Sequence, residues 1–158
     1  MRVTFIDTSV LCELLEVPGK HSPAAAAEIR AELAARMEAG EHFVIPITAV
    51  IETGNHIAQC NGDRFAVSGR LVRLLEQARA NDAPFVVNET AWDETFLADL
   101  CAGDSTTESL QQLAARNVGA GDVAILVERD RYVSRSAYGK GTVAVWTRDV
   151  ALDELARR

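Results

Sequence analysis

The chain predicts an α/β fold with a central, mostly parallel sheet, and three observations carry that reading. Short apolar, β-prone runs recur along the sequence. Each is followed by a segment with helical spacing and capping signals. The runs show little polar alternation, as expected for strands covered on both faces. The 158 residues, 48% of them apolar and 25% charged, suit one domain spanning 1–158, large enough to bury a core without metal or disulfide support.

The elements follow in order. Val3, Thr4, Phe5 and Ile6 form the first strand, which ends at Asp7. Thr8 and Ser9 supply capping hydroxyls for a helix through Leu15 that Pro18 and Gly19 stop. Ser22 and Pro23 open an alanine-rich helix to about Ala39, with Gly40 as its C-terminal signal. Its alanine face suits either a homodimer interface or close packing on the sheet. Phe43, Val44 and Ile45 make the second strand. After Pro46, Thr48 caps a helix from Ala49 to about Cys60, which puts Glu52 in or near its first turn.

Residues 61–63 turn into a helix over 64–80, with apolar Phe65, Leu71, Leu74, Leu75 and Ala78, and with Arg70, Arg73 and Gln77 on a separate face. Residues 81–84 break the chain before the third strand, Phe85, Val86 and Val87, and Thr90 to Leu100 reads as helix. Ser105 to Glu108 fits a capping box opening a helix to Arg116. Gly119 and Gly121 lead into a helix that carries Asp122 in its first turn and Val123, Leu126 and Val127 on its apolar face. Residues 130–141 either extend that helix or form a loop. Val143 to Thr147 make the last strand, and Asp149 caps the closing helix.

Charge and cysteine usage exclude several function classes. Sixteen Lys and Arg against 23 Asp and Glu give a net charge of −7, against a polyanion binder held by bulk charge. All but two of the basic residues are arginines, whose planar fork suits local phosphate contacts. The candidates are Arg70 and Arg73, then Arg129, Arg131, Arg135 and Lys140, and above all Arg148. Cys12, Cys60 and Cys101 show no paired or zinc-like spacing and read as reduced, mostly buried thiols. With no long apolar run and no cleavable leader pattern, the expected location is cytoplasmic, away from membranes.

Four acids share a local position: Asp7 just after a strand, Glu52 and Asp122 in first helical turns, Asp149 just after the last strand. Each alone is explained as a helix cap, because an acid there gains about 0.3–1 kcal/mol from the helix dipole. Together they mean more. In a parallel sheet these positions lie along one edge, and clustered carboxylates repel unless a cation sits among them. All-oxygen ligation favours Mg²⁺ or Mn²⁺ over zinc.

These residues carry a resemblance. Phe5-Ile6-Asp7-Thr8-Ser9-Val10-Leu11 resembles the opening strand motif of PIN-domain nucleases, and Ile47-Thr48-Ala49-Val50-Ile51-Glu52 resembles their second acidic motif. Gly119-Ala120-Gly121-Asp122-Val123-Ala124-Ile125 is similar to the family's Gly-x-x-Asp-x-x-Ile helix start, and Val145-Trp146-Thr147-Arg148-Asp149 to its closing strand. The resemblance implies a three-layer α/β/α PIN-like fold and metal-dependent hydrolysis of RNA phosphodiesters. It further implies a VapC-like toxin with a cognate antitoxin. Asp7, Glu52, Asp122 and Asp149 map onto the acidic, catalytic quartet, and Thr8, Ser9 and Thr147 onto its accompanying hydroxyls.

On that reading Asp7 and Asp122 anchor the principal Mg²⁺ or Mn²⁺, while Glu52 and Asp149 complete its shell through water or help hold a second ion. Thr8, Ser9, Thr147 and Arg148 are the candidate substrate contacts. Many relatives carry another acid two positions before the third; here Ala120 stands there, so one metal or two stays open. Two alternatives stay open as well: a PIN nuclease of RNA processing or decay without an antitoxin, and a degenerate PIN module that binds a partner.

Other readings have less to stand on. A haloacid-dehalogenase-type phosphatase needs an acid where Ser9 stands, and no phosphate-binding glycine loop is present. His56 shares a helix face with Glu52 and could ligate metal, though a half-buried polar histidine is the commoner reading; His21 and His42 read as loop residues. Trp92 and Trp146 read as packing residues, and Cys12 as a buried thiol without a catalytic role.

Overall fold

The computed structural model describes residues 1–80 and 84–158, with the side chains of all of these but Ser105 and Lys140. Most of the break expected at 81–84, the side chain of the capping residue expected at Ser105 and the cationic head of Lys140 therefore lie outside the described residues. Four strands, β1 (Val3–Ile6), β2 (His42–Val44), β3 (Phe85–Val86) and β4 (Val143–Trp146), pair in the order β3-β2-β1-β4, all parallel. Helices α1 (Thr8–Leu14), α2 (Pro23–Glu38), α3 (Ile47–Gln59) and α4 (Arg64–Arg79) follow the first two strands; α5 (Glu94–Ala102), α6 (Leu110–Ala115), α7 (Ala120–Arg135) and α8 (Val150–Ala156) complete the chain. This is the three-layer α/β/α architecture expected of a PIN-like fold.

The strand pleat explains the layers, because successive side chains point to opposite faces. Val3 and Phe5 of β1, Val44 of β2 and Val143 of β4 pack with Ile125 and Tyr132 of α7. Ile6, Phe43 and Trp146 face the other way, onto Val10 and Leu11 of α1, Ile29 of α2, Ala49 of α3 and Ala78 of α4. Both faces of β1 are fully buried, which is why its sequence shows no polar alternation. Ala25, Ala26 and Ile29 are the buried positions of α2, so part of its small-residue surface serves close packing within the chain.

Strand order also locates the cleft. The chain runs β1 to β2 to β3 in one direction, then returns to place β4 on the opposite side of β1. In parallel sheets such a switch point opens a crevice at the carboxyl ends of the strands. The register Ile6↔Trp146 brings the two strand ends level, so Asp7 and Thr147 emerge side by side.

Several local expectations need correction. The cap of α1 is Asp7 itself, whose side chain accepts from Ser9 N; Thr8 and Ser9 already lie inside the helix. Helix α3 starts at Ile47 with Pro46 at its cap and no side-chain cap bond, leaving Thr48 buried with its hydroxyl unpartnered among the described residues. Glu52 thus falls in the second turn. Helix α5 begins at Glu94, where Asp93 accepts from Phe96 N, four residues later than the Thr90 start expected. Past it, Gly103 (φ 77°) turns the chain left-handed into a 3-10 turn at Asp104–Thr106. The capping box that opens α6 is Ser109 with Gln112, one turn beyond Ser105.

Residues 130–141 divide. Helix α7 continues to Arg135 with Asp122 at its third position, and a second 3-10 turn, Lys140–Thr142, precedes β4. Phe65, expected on the apolar face of α4, is 91% exposed, and Cys101 is exposed rather than buried. His42 lies on β2. Among the described residues, no helix is long and apolar enough to cross a membrane.

Candidate active site

At the β1–β4 switch point a cavity of about 300 Å³ is lined by Asp7, Glu52, Asp122 and Asp149, together with Thr8, Ser9, Cys12, Glu13, Lys20, His56 and Arg148. All four acids singled out from the sequence therefore line one cavity, although they come from α1, α3, α7 and the turn before α8. Its walls are made largely of helix starts, where unpaired N–H groups and the helix dipoles favour negative side chains.

Asp7 is the most constrained of the four and is only 3% exposed. Its Oδ2 accepts from Ser9 Oγ at 2.6 Å, Thr147 Oγ1 at 2.8 Å and Ser9 N at 3.1 Å. The network continues outward: Arg148 N donates to Ser9 Oγ at 2.9 Å, and Asp149 N donates to Thr147 Oγ1 at 2.9 Å. The backbone just past β4 is thereby hydrogen-bonded to the carboxylate that ends β1. Charge-assisted bonds of this kind fix a side chain's rotamer.

The other three are held more loosely. Thr8 Oγ1 donates to Glu52 Oε2 at 2.8 Å. Asp122 Oδ2 accepts from Gly119 N at 3.2 Å, and Asp149 Oδ1 caps α8 through Leu152 N at 3.0 Å. Each acid thus performs a capping or bracing task, as the single-residue reading anticipated, while also lining the shared cavity. Gly121 completes the arrangement: a Cβ there would run into Glu52 Oε1, so glycine leaves the Glu52 carboxylate its place between α3 and the first turn of α7.

Electrostatics register the convergence. The carboxyl of Asp122 is pushed up to about 6, first by burial and then by the charge of Asp7, with smaller contributions from Asp149 and Glu52; its bond from Gly119 N opposes the rise. A divalent cation would relieve that strain, and an all-carboxylate donor set suits Mg²⁺ or Mn²⁺. Among the described residues, no three His, Cys, Asp or Glu side chains form a ready-made metal cage. Mg²⁺ tolerates this, because it keeps several of its waters and takes one or two carboxylates directly.

The hydroxyls and cations fall into two groups. Thr8, Ser9 and Thr147 are bonded to the carboxylates rather than standing free in the cavity. Arg148 does line it, with Nε 3.9 Å from Glu13 Oε1. Most of the other nominated arginines are structural. Arg70 donates to Leu15 O and Glu16 O, Arg129 is buried and donates to Asp130 Oδ1 and Ala156 O, Arg131 pairs with Asp99, and Arg135 donates to Glu89 O and Asn88 Oδ1. Arg73 stays exposed on α4.

Sequence reading missed Glu13 and Lys20. Glu13 is buried and accepts from Ser22 N, so its carboxylate ties α1 to the start of α2 at the cavity wall. Its signal was one polar residue inside the otherwise apolar run 10–15. Lys20 carried no periodic signal, being placed by the turn that Pro18 and Gly19 make. Cys12 lines the cavity, but its thiol is pushed up to about 11, chiefly by burial, and so stays protonated.

No family model matches the chain, and no curated protein matches it in sequence. Among solved structures, the crystal structure of FitAcB from Neisseria gonorrhoeae is similar to it, with a TM-score of 0.54 and 16% identity over 98% of this chain and 93% of that one. At that identity the likeness is one of fold, and it extends over the whole three-layer architecture.

Proposed function

We propose that the chain is a Mg²⁺- or Mn²⁺-dependent endoribonuclease of the PIN type, the toxin of a VapC-like toxin–antitoxin pair working in the cytoplasm. The observation that carries this reading is the gathering of Asp7, Glu52, Asp122 and Asp149 from four separate segments into one cavity. The likeness to FitAcB supports the fold on which the motifs were matched.

Bound there, a divalent ion would activate water and offset charge on the phosphate oxygens. Asp7, braced by Ser9 and Thr147, would anchor the ion, and Asp122 would supply the second direct carboxylate. Glu52 and Asp149 would complete its shell through water or help hold a second ion, and Arg148, which lines the cavity, would meet the substrate's phosphate. A serine nucleophile is not required, since Ser9 Oγ is committed to Asp7 and no histidine or lysine contacts it among the described residues.

The test is RNA cleavage with and without EDTA, using the wild-type chain and Asp7→Asn/Asp122→Asn, beside growth with and without the adjacent reading frame. Metal-dependent cleavage lost in the double variant, with an unchanged circular dichroism spectrum, is the expected result. Full activity in that variant rejects the assignment. Growth arrest rescued by the neighbouring frame supports the toxin; cleavage without arrest points to RNA processing. Absence of saturable Mn²⁺ binding in calorimetry identifies a noncatalytic module.

A further inference from the structure

We propose that the polar hollow beside the acidic cavity is a nucleotide subsite that reads the base next to the scissile phosphate; this rests on the nuclease reading above. The hollow, about 470 Å³, is lined by Pro18, Gly19, Lys20, His56, Gln59 and Asn61, with Cys60 at its base. Lys20 and His56 line both it and the acidic cavity, so the two form one continuous path. Its volume falls in the range of small-ligand pockets, about 300–1,000 Å³.

Its walls are built rather than incidental. One wall is the turn at 17–21, where Val17 N donates to Cys12 O, Lys20 N donates to Val17 O, and His21 Nδ1 lies 2.9 Å from Val17 O. The other is the end of α3, where Cys60 N donates to Ile57 O and Arg64 Nε donates to Cys60 O. Val17, Ile57 and Cys60 belong to the same buried cluster, so both walls are anchored in one piece of core. Pro18 lies so close to Gly62 that a Cβ there would meet its Cγ at 2.6 Å. Arg70, bonded to Leu15 O and Glu16 O, locks α4 behind the first wall.

The chemistry matches a base and its phosphate. Gln59 and Asn61 each present a donor and an acceptor, the combination needed to read a base edge, and both side chains are exposed. Lys20 and His56 line both hollow and cavity, where the backbone joining the two would pass, and Arg148 also lines the cavity. The acidic cavity repels a polyanion unless cations stand on its flanks, so Lys20 and Arg148 direct the strand, with His56 as a hydrogen-bonding ring beside Lys20.

The test maps cut sites in a randomised single-stranded RNA pool with Mn²⁺, comparing wild type with Gln59→Ala/Asn61→Ala and Lys20→Ala/His56→Ala, all checked for unchanged melting. We expect wild type to prefer one base on one side of the cut, and the amide variant to flatten that preference by about tenfold. The Lys20→Ala/His56→Ala variant raises KM by about tenfold at low salt, and by less as salt rises, through the lost Lys20 charge. A preference unaltered in the amide variant, or no preference in wild type, overturns the subsite and leaves the nuclease reading standing. No metal-dependent cleavage by wild type overturns both.

Discussion

Thr147 Oγ1 donates to Asp7 Oδ2 at 2.8 Å, a bond between residues 140 positions apart that joins the ends of the paired strands β1 and β4. It makes Thr147 a positioning residue for the most buried acid of the cavity. Thr147→Ala should lower stability by about 2 kcal/mol, the usual loss for a bond to a charged partner. Mn²⁺ affinity should fall by about 10- to 100-fold, as when other groups that orient a ligand are removed. Thr147→Ser should restore both, because only the hydroxyl is needed. Urea denaturation and Mn²⁺ titration of the three proteins decide it; equal Mn²⁺ affinity in Thr147→Ala would remove the role.

Gly121 and Gly119 make a matched pair on the first turn of α7. A Cβ at Gly121 runs into Glu52 Oε1, whereas at Gly119 it meets Asp122 Oδ2 at an ordinary 3.4 Å. The atom displaced by Gly121→Ala is the free end of a flexible side chain, so the fold should survive with a change of no more than about 1 kcal/mol. RNA cleavage, by contrast, should drop by at least about tenfold, since Glu52 can no longer share the space. Gly119→Ala should retain most activity. Comparable losses in both variants would mean that helix geometry, not the Glu52 clearance, is what glycine provides.

These two relationships show what was legible in the sequence and what was not. The four acids could be read because Asp7 and Asp149 follow strands and Asp122 and Glu52 lie early in helices, and parallel topology places such positions along one edge. Asp7 as its own helix cap could have been read too, since an aspartate ahead of Thr8 and Ser9 is the stronger cap. Glu52 was misplaced by a turn because Thr48 resembles a cap, yet burial against the sheet takes its hydroxyl away from the backbone. The arginines misled for a different reason. Charge alone does not say whether a guanidinium meets solvent phosphate or a nearby carbonyl, and for Arg70 and Arg129 that partner is supplied by segments far along the chain.

Arg129 gives that last point a measurable form. It is 4% exposed, with Nε 2.7 Å from Asp130 Oδ1 and Nη1 2.8 Å from Ala156 O, so it pins the C-terminal helix to α7. Truncating it removes two bonds from a buried guanidinium, to Asp130 Oδ1 and to Ala156 O, at about 1.5–3 kcal/mol for each bond to a charged group, a loss of about 3–5 kcal/mol in all. Arg129→Ala should therefore be destabilised by about that amount, with RNA affinity of the folded fraction unaltered. An Arg148→Ala variant should show the reverse, weaker RNA binding with little change in melting temperature. Denaturation and fluorescence anisotropy with an RNA oligomer separate the two; weakened binding by folded Arg129→Ala would return it to the substrate-contact set.

Glu128 sets a pH dependence away from the acidic cavity. It is 2% exposed on α7, and its Oε1 has no partner among the described residues. Burial pushes its carboxyl up to about 7, against opposing help from Asn88, the Ile47 backbone and Arg135. A folded value above the unfolded 4.5 means that the folded chain binds the extra proton, so stability is greatest below about 4.5 and falls as pH rises through about 7. The full difference is about 3 kcal/mol. Asp122, raised to about 6, adds slope of the same sign over the lower part of that window. Glu128→Gln cannot ionise, so it should lose most of the decline and be more stable than wild type at pH 8, while the two differ less at pH 5. Guanidinium denaturation at both pH values measures this directly. A Glu128→Gln variant with the wild-type slope would place the burial penalty elsewhere, and one less stable at pH 8 would mean that the ionised carboxylate is held by a donor strong enough to outweigh its burial.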